Sequence, residues 1–225
     1  MNLMTGLPAR PQAVIFDMDG LMLDSERALL GCLEQTARAH GYEVPRALLL
    51  SLVGSADAVT RRRLGDALGV ERTDALLADS YARYDGIVEA GVPLRPGILE
   101  LLKLLDAHQV PRAVATATRT PLAQRKLEAA GLLAYFQAVA TSTEVAHSKP
   151  APDIYLLAAA RLGVAPQHCL ALEDSPTGVR AALAAGMTTI QIPDLLEPDD
   201  DVRALGHRIT GSLHDVHQML QPWLG

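Results

Sequence analysis

The sequence predicts an α/β fold: a doubly wound parallel sheet with an all-helical segment inserted after its first strand. Three observations carry this. The apolar run Ala13-Val14-Ile15-Phe16 has the composition of a buried strand and stops at Asp17-Met18-Asp19-Gly20. From Pro93 onward, strand and helix signals alternate, as in βαβ units with helices on both faces of the sheet. Between these parts, 77 positions separate Gly20 from Gly97, far more than a strand-to-helix connection needs.

Taken in order, two carboxylates and a glycine cannot continue a buried strand, so the chain leaves the sheet after Phe16. Ser25–His40, Arg46–Leu52, Ala56–Leu68 and Asp74–Ala90 carry helix-spaced apolar residues, punctuated by Gly41, Pro45, Gly54 and Gly69. Ile98–His108 reads as a helix with Pro96 near its start, and Arg112–Ala115 as a strand. Pro121–Ala130 is a helix stopped by Gly131, and Ala138–Ala140 a strand. Then follow helix Pro152–Leu162, strand His168–Leu172, helix Pro176–Ala185 and strand Thr188–Ile192. A closing helix begins at Ser212 and ends near Pro222. The expected division is residues 1–22 and 93–225 for the α/β core and 23–92 for a helical cap.

Composition excludes several classes. With 49% hydrophobic residues among 225 the chain can bury a sizeable core. A net charge of −6 speaks against a nucleic-acid binder. Two cysteines, Cys32 and Cys169, form neither a disulfide framework nor a metal motif. No run reaches the ~18 apolar residues of a membrane span, and Met1–Arg10 lacks a signal-peptide pattern. A cytoplasmic protein without membrane or nucleic-acid partners is expected, its oligomeric state open, a monomer included.

In doubly wound sheets, ligands bind outside the carboxyl ends of the strands. Three predicted strands end there in polar residues: the first at Asp17 and Asp19, the second at Thr116-Ala117-Thr118, the third at Glu173-Asp174. Lys149 lies in a loop between them. Four carboxylates in one cleft repel one another unless a cation is present. Lys149 supplies one charge, and an all-oxygen site calls for a hard divalent ion, Mg²⁺ before others. That combination suits phosphoryl transfer. Asp17 is expected to attack phosphorus, and Asp19, two residues on, to act as general acid and then base. Thr116 and the N–H groups of Ala117 and Thr118 would hold phosphate oxygens, with Lys149, and Gly20 would let the backbone approach the ligand. An isolated Asp-x-Asp-Gly is a common acidic turn; the weight rests on the joint occurrence at strand ends.

With these residues in hand, the sequence resembles the haloacid dehalogenase-like hydrolases, most like the β-phosphoglucomutase-like group with a helical cap. The resemblance runs from about Ala13 to Ile192. It rests on Asp17-Met18-Asp19-Gly20-Leu21-Met22-Leu23-Asp24-Ser25-Glu26, Val114-Ala115-Thr116-Ala117-Thr118, Ser148-Lys149-Pro150-Ala151-Pro152-Asp153 and Leu172-Glu173-Asp174-Ser175-Pro176-Thr177-Gly178. It implies a Rossmann-like core, Mg²⁺ held by Asp17, the carbonyl of Asp19, Asp174 and Glu173, and a phosphorylated small metabolite as substrate. Two departures favour a plain phosphatase over a phosphosugar mutase. Arg27-Ala28-Leu29 holds no histidine, and Gly54-Ser55-Ala56-Asp57-Ala58-Val59-Thr60 has Asp57 where the mutase-like cap carries arginine. Asp19 speaks against a dehalogenase, which lacks the second aspartate. A non-catalytic binding protein on this scaffold is the remaining alternative.

Other features carry structural readings. Arg61-Arg62-Arg63 is expected to be a solvated helix face, His214 and His217 a surface pair, Asp199-Asp200-Asp201 an acidic loop, and Trp223 a packing anchor. Asp24 and Ser25 are candidate caps of the first inserted helix.

Overall fold

A computed structural model of the chain describes residues 9–53 and 57–224. The N-terminal segment up to residue 8, and Gly54, Ser55 and Ala56 of the cap stretch, lie outside the described residues. The chain runs β1 (Ala13–Phe16), α1 (Ser25–Ala39), α2 (Arg46–Ser51), α3 (Asp57–Leu68), α4 (Val70–Ala90), α5 (Ile98–Ala107), β2 (Arg112–Thr116), α6 (Thr120–Ala129), β3 (Ala138–Thr141), α7 (Asp153–Leu162), β4 (Cys169–Glu173), α8 (Pro176–Ala184), β5 (Thr188–Gln191), α9 (Asp200–Arg203), β6 (Arg208–Ile209) and α10 (Leu213–Leu224).

The strands form one parallel sheet in the order β3-β2-β1-β4-β5-β6. Successive side chains of a strand point to opposite faces, and the sheet builds two cores this way. Val14 and Phe16 of β1, Val114 of β2, and Leu170 and Leu172 of β4 face Leu101, Leu102 and Leu105 of α5, Leu127 of α6, and Val216 and Leu220 of α10. The alternate residues Ala13, Ile15, Ala113, Ala115, Cys169 and Ala171 face Tyr155 and Ala158 of α7 and Ala181 and Ala182 of α8. Small residues on that second face let α7 and α8 lie close to the sheet. Phe16 is fully buried edge-on to Phe136, with ring centroids 5.6 Å apart.

Helices α1–α4 have their own core. Leu30, Leu33 and Ala37 of α1, spaced to share one helical face, meet Leu49, Leu64, Leu76 and Leu77. Each leucine so buried contributes roughly 1.5–3 kcal/mol. Two chain crossings join this helical segment to the sheet, and they hydrogen-bond to each other: the Asp24 N–H donates to Pro93 O at 2.8 Å and the Arg95 N–H to Met22 O at 2.9 Å. Asp24 occupies the N-cap position of α1 but makes no capping bond; its carboxylate turns instead to Arg27, 3.2 Å away, and Arg95. The expected cap is thus replaced by ion pairing across the crossing.

Other expectations shift. α4 starts at Val70 rather than Asp74, because Gly69 at φ +82 ends α3 and lets a new helix start at once. The Asp199–Asp201 stretch is not simply a loop: Asp199 accepts from the Val202 N–H and caps the short α9. The closing helix runs beyond Pro222, which falls in its last turn, to Leu224. Arg61, Arg62 and Arg63 are exposed, with Arg61 paired to Asp74 and Arg63 to the Ser51 carbonyl. Trp223 packs, partly buried, against the core formed with α5, α6 and α10. Both cysteines are buried and free. Among the described residues no helix is long and apolar enough to cross a membrane.

Candidate active site

The strand order reverses between β1 and β4, so their carboxyl ends lie side by side. The Asp17 N–H donates to Leu172 O at 3.0 Å, which draws Asp17 against Glu173 and Asp174. Carboxylate oxygens of Asp17, Glu173 and Asp174 all come within 4.8 Å of one another. Lys149 reaches into this cluster, its Nζ 2.5 Å from Asp17 Oδ1 and 2.6 Å from Glu173 Oε1. A cleft of about 670 Å³ opens above. Asp17, Asp19, Thr116, Ala117, Lys149 and Asp174 line it, as do Ser148 and Thr177.

Burial sets the electrostatics. It pushes the Asp17 carboxyl up to about 7, against the pull of Lys149, while Glu173 and Asp19 push the same way as burial. Asp174 is raised well above the carboxylate range by burial, then by Asp17 and Glu173. Burial alone would lower Lys149, but the Asp17 and Glu173 carboxylates outweigh it and hold the ammonium charged. Three carboxylates facing one ammonium leave the cluster short of positive charge. An all-oxygen donor set of this kind fits a hard divalent cation.

Asp19 lines the same cleft as Asp17, as their period-two spacing predicts, but has different partners. The chain has already left the strand: Asp19 bridges to Leu23, and Leu23 to Leu94. Its carboxylate takes Lys126 Nζ at 2.7 Å and Thr118 Oγ1 at 2.6 Å. It is not in the three-carboxylate cluster, so only its carbonyl remains available for the metal role that the resemblance implies. Burial would raise the Asp19 carboxyl, yet Lys126, with hydrogen bonds from Lys126 and Thr118, holds it below the usual range.

Glu173 reaches the cluster with its oxygens already engaged. Oε1 accepts from Lys149 and from the Tyr155 hydroxyl at 2.7 Å; Oε2 accepts from the N–H groups of Asp174 and Ser175 and from Ser175 Oγ. Five donors exceed the roughly four lone-pair sites of a carboxylate. Gly20, expected to admit the ligand, instead admits Asp174. At φ +86 it has a conformation that suits glycine, and a Cβ there would stand 2.9 Å from the Asp174 carboxyl carbon. The Thr118 N–H, expected to bind phosphate, is taken by Thr116 Oγ1 at 3.0 Å. Thr116 and the exposed Ala117 still line the cleft.

Sequence reasoning missed Lys126, Tyr155 and Asp194. Asp194, on the loop after β5, lines the cleft with its side chain 3% exposed and pairs with Arg27 at 2.7 Å and Arg95 at 2.6 Å. The next residue, Leu195, packs on the core of the helical segment. No motif flagged these residues. The only signal was an acid amid apolar residues in Pro193-Asp194-Leu195-Leu196.

Comparison with known proteins identifies the family. Hexitol phosphatase A of Escherichia coli (strain K12) is 34% identical over 186 residues, 81% of this chain and 83% of that protein. Protein CbbY of Rhodobacter capsulatus is 33% identical over 213 residues, 88% of this chain and 92% of its own length. The crystal structure of a HAD family hydrolase from Deinococcus radiodurans R1 with bound phosphate and sodium superposes with a TM-score of 0.77 at 27% identity, covering 92% of this chain and 94% of that one. Residues 11–186 match the model of the haloacid dehalogenase-like hydrolases, and the chain belongs to that family.

Proposed function

We propose that the chain is a Mg²⁺-dependent phosphatase that hydrolyses a phosphorylated small metabolite, a sugar or sugar-alcohol phosphate, through an aspartyl-phosphate on Asp17. One observation carries the reading: the Lys149 ammonium joins Asp17 to Glu173 at the floor of an open cleft, beside Asp174. The phosphatase relatives support the substrate class.

Asp17, Asp174 and the Asp19 carbonyl would hold Mg²⁺, with Glu173 behind them anchoring Lys149. The ion supplies charge neutralisation at the phosphoryl oxygens. The chain's own residues do the rest. Lys149, Thr116 and the Ala117 backbone bind and orient the phosphoryl group. An Asp17 oxygen attacks phosphorus as the bond to the leaving oxygen breaks, and Asp19, which takes up a proton from the ester monoanion or solvent as the substrate binds, passes that proton to the leaving oxygen. Water then attacks phosphorus and yields its proton to Asp19, the Asp17–phosphorus bond breaks, and inorganic phosphate leaves. The segment between the crossings at residues 23 and 94 acts as a cap that excludes bulk water.

Phosphate release from a panel of phosphorylated metabolites, with and without Mg²⁺, tests this. We expect turnover of sugar or sugar-alcohol monophosphates that needs the ion and disappears in Asp17→Asn. Interconversion of hexose phosphate isomers without net phosphate release contradicts it, as does activity surviving in Asp17→Asn.

A further inference from the structure

Lys126 belongs to none of the four motifs, yet it holds one oxygen of the Asp19 carboxylate, while Thr118 holds the other. It lies on the face of α6 that meets the sheet, between Ala123 and Leu127, both fully buried. Its own side chain is 6% exposed. The ammonium sits 5.1 Å from the centre of the Tyr84 ring of α4, so the helical segment covers it. A leucine would serve packing at such a place. Replacing a buried ion pair by well-packed apolar residues is often neutral or stabilising, so packing alone gives no reason for lysine here. Asp19 meanwhile lines the cleft and keeps 22% of its side chain exposed.

We propose that Lys126 is a positioning residue for proton transfer: with Thr118 it fixes the Asp19 carboxyl group at the cleft wall so that its exposed edge meets the leaving oxygen. The inference rests on the reading of Asp19 as acid and base given above. Lys126 keeps its own proton throughout. The proton that reaches the leaving oxygen comes from Asp19 and is returned to Asp19 by water.

The test compares two esters by kcat/KM, which covers only the steps up to departure of the alcohol. p-Nitrophenyl phosphate has a leaving group that departs as an anion; sorbitol 6-phosphate has an alkoxide that needs a proton. Lys126→Met is expected to lose about 10- to 100-fold on the alkyl ester and to stay within about 3-fold on the aryl ester, a part of the ~10²–10⁴ that acid–base catalysis supplies. Lys126→Arg, which keeps the charge and the donor, is expected to recover most of the alkyl rate. Thr118→Val, which removes the other grip, should show the same selectivity with a smaller loss, and it decides the matter if Lys126→Met does not fold. Equal losses on both esters, or an unchanged alkyl rate, overturn the inference and leave Lys126 a structural residue. A wild-type protein inactive on both esters, or turnover that survives Asp17→Asn, overturns the phosphatase reading instead.

Discussion

Gly20 and Asp174 occupy one space: the Cβ that Gly20 lacks would overlap the Asp174 carboxylate. The first motif therefore needs its glycine to seat the last motif's aspartate. Gly178 stands in the same relation to Glu173, whose carboxylate fills the place of its missing side chain.

Gly20→Ala is accordingly expected to displace Asp174 and to strain a backbone at φ +86. The strain costs about 1–2 kcal/mol, read as a lower melting temperature. Activity should fall by about 100-fold or more, with weakened Mg²⁺ binding by titration calorimetry, since a misplaced ligand of even ~1 Å can cost on the order of 10²-fold. Activity and Mg²⁺ affinity near wild type would show that Asp174 has no part in the site.

Tyr155→Phe probes the support beneath the site. The hydroxyl donates to Glu173 at 2.7 Å where both residues are fully buried. Its removal keeps the shape but takes one donor from a buried carboxylate, at a cost of about 1–3 kcal/mol, measurable by urea denaturation. Four donors to Glu173 remain, so kcat/KM is expected to stay within about 10-fold. A variant as stable as the wild type would show that the Tyr155 hydroxyl does not support Glu173.

The carboxylate cluster predicts how pH and metal act together. In the metal-free protein Asp17 is raised from 3.8 to about 7 and Asp174 is raised as well, so between these limits the folded state binds more protons than the unfolded chain. Stability from this source therefore falls as pH climbs from about 4 through about 7. Mg²⁺ held by the deprotonated carboxylates would restore it, so the gain in melting temperature over EDTA should be larger at about pH 8 than at about pH 5. An equal or reversed gain would place the ion elsewhere.

Legibility in the sequence followed local pattern. Ala13–Phe16 announced a strand buried on both faces, and the abrupt polar ends of three strands placed Asp17, Thr116 and Glu173 at one sheet edge, where the structure has them. What stayed hidden depends on long-range partners. Arg125-Lys126 looks like any exposed basic pair on a helix; only the approach of β1 and α4 buries Lys126. Tyr155 reads as core, and its hydroxyl gains meaning only from Glu173, 18 positions away. Period-two spacing put Asp17 and Asp19 on one side, and both line the cleft, but it could not show that Lys149 would pair with the first and Lys126 and Thr118 with the second. β6, two residues long, is too short to leave a pattern.

The most direct test of the central claim is to quench the protein during turnover of a sugar phosphate, reduce it with borohydride and map the peptides by mass. Borohydride converts an aspartyl-phosphate to homoserine. The account predicts that conversion at position 17, dependent on substrate and absent in Asp17→Asn. Conversion at another residue, or none while phosphate is still released, would contradict it.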